Sequence, residues 1–192
     1  MVATTIAAVR GDRHESGGIV AGWHLAGLTL GATAIGLVVA AVGAAVSMPR
    51  PTAEFVLGTF AFLLGSAAAF GRAVPVPSSP AQVPKAWTVT MEPAQYAFAY
   101  GLGLGFGVAT RIPSWSLHVL LALVFVLGDP AFALIAASVY AVFRAMPVVA
   151  ASMTHRSTEE IVAGLDRVRA AALRADGIVT AAIGVALVAL GA

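Results

Sequence analysis

One stretch of roughly 30 residues, Gly17–Met48, contains no Asp, Glu, Lys or Arg. A helix needs about 20 apolar residues to cross a bilayer, and the apolar core of a signal peptide has only about 7–15. The stretch therefore reads as a retained membrane helix. The segment before it, residues 1–16, is short, polar and mixed in charge.

Composition extends this reading to the whole chain. Hydrophobic residues make up 59% and charged residues 10% of the 192 positions. Soluble domains carry roughly 25% charged residues, so the surface here needs lipid to solvate it. The expected class is all-α: a polytopic membrane helix bundle of about six transmembrane helices in the cell membrane, with the lipid bilayer as first partner. The net charge of +2 is spread thinly. No basic patch suits nucleic acid, which is excluded as a partner. Cysteine is absent, which rules out disulfides, thiolate metal ligands and cysteine nucleophiles.

Apolar runs and turn residues mark out the spans. Helix 1 covers Gly17–Met48 and stops at Pro49-Arg50-Pro51; helix 2 covers Ala53–Gly71. Residues 72–92 form a Pro-rich loop without a regular span. Helix 3, Pro93–Arg111, starts with proline, whose missing N–H costs nothing in a first turn. Ile112-Pro113-Ser114 reads as a tight reversal into a short helix 4, Ser114–Leu127, and Gly128-Asp129-Pro130 turns into helix 5, Pro130–Ser152. Ser157 and Glu160 have capping-box spacing. They open an amphipathic helix, Thr158–Ala172, that continues into helix 6, Leu173–Gly191. With six alternating spans, basic residues divide six to four in favour of an extracytoplasmic N-terminus.

Several residues could carry function. Gly101 and Gly105 share one face of helix 3, and Gly103 and Gly107 the opposite face, each pair at the small-xxx-small spacing of close helix approach. Helix 3 is therefore expected to pack on both sides. Arg144 within helix 5 is costly in lipid and needs a partner or a ligand. In the six-span count Glu54, His118, Arg144 and Asp176 fall on one side of the membrane, so Glu54 or Asp176 is expected to pair with Arg144. His24 starts from the other side, which disfavours joint ligation of one metal or haem by His24 and His118. No metal site, cofactor or catalytic constellation is expected.

The run YGLGLGFGVATRIPSWSLHVLLALVFVLGDP followed by FRAMPVV, with QVPKAW before it, resembles membrane proteins grouped with the DsbD/CcdA-type electron relays of cytochrome c biogenesis. The resemblance covers about half of the chain. It implies six spans in an inverted 3+3 repeat, with a redox cysteine opening each repeat. Trp23-His24 and Pro113-Ser114-Trp115 stand at those helix starts here, so electron relay is excluded on chemistry.

The function expected from these observations is non-enzymatic: an accessory or assembly subunit of a larger membrane complex, with other membrane protein subunits as partners. The Pro-rich loop and the amphipathic helix would be its docking surfaces. The alternative is a small-solute or ion transporter using Arg144, Glu54, His118, Asp176 and His24 as polar interior contacts.

Overall fold

The computed structural model describes residues 17–46, 48–72, 74–77, 87–107, 114–152 and 157–192. The helices are α1 (Gly17–Val46), α2 (Arg50–Ala69), the single turn α3 (Trp87–Thr90), α4 (Pro93–Gly105), α5 (Ser116–Leu127), α6 (Pro130–Ser152) and α7 (Thr158–Gly191). The described residues contain no strand. The six longer helices follow the expected order, and α3 is a regular turn among the described residues of the Pro-rich loop. Four of them, α1, α2, α6 and α7, are long and apolar enough to cross a membrane. The other two, with 13 residues in α4 and 12 in α5, reach about 18–20 Å at 1.5 Å per residue. That is short of a hydrocarbon core of about 30 Å.

Local chemistry sets the helix ends. Proline lies in the first turn of α2 and of α4. Gly128 ends α5 at φ 58°, its N–H donating to the Val124 carbonyl at 3.0 Å. Asp129 then accepts from the Ala131 N–H at 2.8 Å and starts α6. The capping box is reciprocal: the Ser157 N–H donates to Glu160 Oε2 at 2.9 Å, and the Glu160 N–H to Ser157 Oγ at 3.2 Å. From that box the amphipathic segment and helix 6 form one helix, α7.

The chain divides into two compact units. The first contains the first half of α1, α3, α4, the second half of α6 and the start of α7. Here α4 lies on α1 and runs in the same direction. A Cβ on Gly27 would strike the backbone of Phe98 and Leu102; one on Gly31 would strike Leu102 and Gly105. Helix α6 runs the other way, with Ala141 and Ala145 packed around Leu28, Tyr100 and Leu104, and Val148 beside Val20 and Ala97.

The second unit contains the remainder of α1, α2, α5, the first part of α6 and most of α7. Helix α5 also follows α1: Gly43 meets Phe125, Gly128 meets Ala44, and Ala40, Val124, Ala133 and Ala136 form the core. Helices α2 and α7 run antiparallel along a seam of glycines. Gly191 abuts Pro51 and Phe55, Gly184 abuts Gly58 and Phe62, and Gly177 abuts Gly65 and Ala69.

These directions correct two expectations. The reversal expected at Ile112-Pro113-Ser114 lies largely outside the described residues, but within the second unit α5 runs with the stretch of α1 that it covers. The opposite sense of helices 1 and 4, which an inverted 3+3 repeat requires, is not met. In addition, α7 opposes α2 where six alternating spans would make them parallel. Glu54 therefore lies at the end of this pair near Gly191, and Asp176 at the other end beside Gly65 and Ala69. They do not share a side.

Candidate sites in the two units

In the first unit the close approach of α1 and α4 seals His24 completely; its exposure is 0%. Its Nδ1 lies 3.3 Å from the Ala97 carbonyl oxygen. A carbonyl only accepts, so Nδ1 carries the proton and Nε2 is left as an acceptor. Nε2 is buried and has no hydrogen-bond partner. The ring stacks on Tyr100, with centroids 5.7 Å apart and planes 23° apart, and Tyr100 stacks on Tyr96 at 5.9 Å. Arg144, half-buried on α6, is near enough to act electrostatically on both His24 and Tyr140.

The expected partners of Arg144 are engaged otherwise. Glu54 accepts from Arg50 Nε at 2.8 Å, one helical turn earlier. Asp176 makes no ion pair among the described residues, where Arg50–Glu54 is the single salt bridge. The glycines of α4 separate as well. A Cβ on Gly101 would strike the backbone of His24 and Leu28, and one on Gly105 that of Leu28, Ala32 and Gly31. Gly103 is half-buried, and Gly107 lies past the end of α4 at φ 70°. Gly107 instead closes the helix, its N–H donating to the Leu104 carbonyl at 3.0 Å.

The second unit has a cavity of about 390 Å³ at the open end of the α2–α7 seam. Arg72, Arg174, Asp176, Trp115, Ser114 and Thr180 supply its polar lining, and Leu64, Ala68, Val74, Val76 and Leu173 its apolar walls. Gly71, at φ 73°, turns the chain off the end of α2 and leaves room for the Arg174 guanidinium, 3.6 Å from where a Cβ would sit. Trp115 Nε1, a donor only, is buried without a partner, and so is Nδ1 of His118, whose ring lies 5.3 Å from that of Trp115. His118 thus backs the tryptophan and is not itself part of the lining.

Of the residues that the sequence singled out, Asp176 lines the cavity, His118 supports it, His24 and Arg144 belong to the sealed cluster, and Glu54 is spent on Arg50. Arg72, Arg174 and Trp115 were missed. Their signal was the seven-residue glycine spacing 58/65 and 177/184/191, which aligns the end of α2 with the Arg174 turn of α7. The described residues hold no group of three or more His, Cys, Asp or Glu that could bind a metal. No protein-family model, no curated protein and no solved structure matches the chain.

Proposed function

We propose that the chain is a multi-pass, non-enzymatic protein of the cell membrane that takes an anionic molecule into the cavity of the second unit, as a small transporter does. One observation carries this reading: two guanidinium groups line an otherwise largely apolar cavity, and neither has a carboxylate within ion-pair distance among the described residues. Both side chains are exposed, so their guanidinium forks are open to an anionic ligand.

The accessory-subunit reading keeps one observation of its own. From Glu159 to Ala172 helix α7 is mostly exposed, with five charged side chains uncovered, and such a surface suits a docking partner. The DsbD/CcdA-type resemblance adds a helical scaffold to either reading and no chemistry.

The test is a thermal-shift series on the purified chain with phosphate, sulfate, glycerol phosphate and anionic phospholipid. At least one should raise the melting midpoint of the wild type and leave Arg174→Gln unmoved. No shift with any anion, together with a stoichiometric protein partner in mild detergent, would replace the transporter reading with the accessory one.

A further inference from the structure

The lining of the cavity narrows the class of anion, on the anion-binding reading just given. Arg72 and Arg174 face a single carboxylate, Asp176, so one positive charge is left over. The Trp115 indole is part of the lining, but its N–H is buried and leaves the two arginines as the charged donors. A dianionic phosphate monoester would exceed that single charge. A phosphodiester carries one negative charge and presents oxygens that a guanidinium fork matches. The walls add a second requirement. Leu64 and Leu173 offer nothing to a free inorganic anion, whereas they suit hydrocarbon attached to the anionic group. Four helices are long and apolar enough to cross a membrane, and phosphodiesters with acyl chains are what a bilayer offers such a chain. Basic pockets between membrane helices take lipid headgroups by this chemistry.

The geometry points to a phospholipid headgroup as the occupant of this cavity, its phosphodiester between Arg72 and Arg174 and its acyl chains along the Leu64 and Leu173 walls. Asp176 sets the charge. It turns away groups more negative than a diester, and its neutralisation should tighten the hold on anionic lipid.

Native mass spectrometry of the full chain, delipidated and then titrated with one lipid at a time, reads this directly. Phosphatidylglycerol should be retained at least tenfold more than diacylglycerol, which has the same chains and no phosphate. The double variant Arg72→Gln, Arg174→Gln should lose at least tenfold in phosphatidylglycerol retention, as expected when hydrogen bonds to a charged group are removed. Asp176→Asn should gain about threefold, as an effective-dielectric estimate for one removed like charge suggests. Arg50→Gln, which breaks the ion pair with Glu54, should bind as the wild type does. If the double variant does not fold, Arg174→Gln and Asp176→Asn carry the test, the first weakening retention and the second raising it. Equal retention of phosphatidylglycerol and diacylglycerol would overturn the proposal. If inorganic phosphate stabilises the chain and displaces the lipid at millimolar concentration, the occupant is a soluble anion: this inference fails and the anion-binding reading stands. If neither binds, both fail.

Discussion

The two units use glycine for the same purpose at different spacings, and the outcomes differ. Between α1 and α4, Gly27 and Gly31 face Gly101 and Gly105 at four-residue intervals. The close approach is concentrated within about one turn of helix, or some 6 Å of rise, and nothing enters: His24 is sealed with its Nε2 unpaired. Between α2 and α7 the interval is seven residues, at Gly58 and Gly65 against Gly177, Gly184 and Gly191. Contact is spread over about 20 Å and the seam opens at one end into a cavity. Short spacing gives a point of closure, and long spacing gives a rail with an end that can be lined.

The largest expected effect tests the point of closure. Gly105→Leu should destabilise the fold by about 3 kcal/mol, the upper part of the usual overpacking range, because backbone of Leu28, Ala32 and Gly31 leaves no flexible atom to move. Gly103→Leu, on the half-buried side, should cost well under 1 kcal/mol, near the surface-substitution level. Equal losses for the two in a denaturation series would break the comparison. On the rail, Gly65→Leu should cost about 2 kcal/mol, since it meets Ala181 and Gly177 backbone but the strain can be shared along the seam. A loss larger than that of Gly105→Leu, measured in the same series, would reverse the ranking. Gly71→Ala should cost about 1 kcal/mol or slightly more, the penalty for a Cβ at positive φ. It should also weaken ligand binding through Arg174, while Gly107→Ala, also at positive φ, should show the stability loss alone. The smallest effect belongs to Arg50→Gln. Arg50 is 62% exposed, so loss of its pair with Glu54 should shift stability by about 0.5 kcal/mol or less.

Much of the helical layout was legible in the sequence because it depends on local chemistry. Proline at Pro51 and Pro93, glycine at Gly128 and the Ser157–Glu160 box act within a turn of themselves, and the structure places helix ends there. The face shared by Gly101 and Gly105 was legible for the same reason, since periodicity is local. Direction was not. The sequence shows that the chain is interrupted around Pro113 but not whether it turns back, and alternation of spans is an assumption about topology. That one assumption carried the pairing of Arg144 with Glu54 or Asp176, and the antiparallel α2 and α7 do not meet it. Glu54 could have been read locally, because Arg50 lies one turn before it. The cavity was beyond local reading: Arg72 and Arg174 are about 100 residues apart in sequence and meet only because α2 and α7 are antiparallel.

The α2–α7 seam has a consequence for biosynthesis. Gly58 and Gly184 lie about 125 residues apart, which at roughly 5–20 residues per second is about 6–25 s of translation. During that interval α2 sits in the bilayer with its glycine groove against lipid, long after α1 and α4 can have joined. The second unit can close only when the last helix has been inserted. A chain arrested before α7 would therefore present α1, α4 and α6 of the first unit already packed and an uncovered groove on α2, the surface that a membrane insertase or quality-control protease would meet.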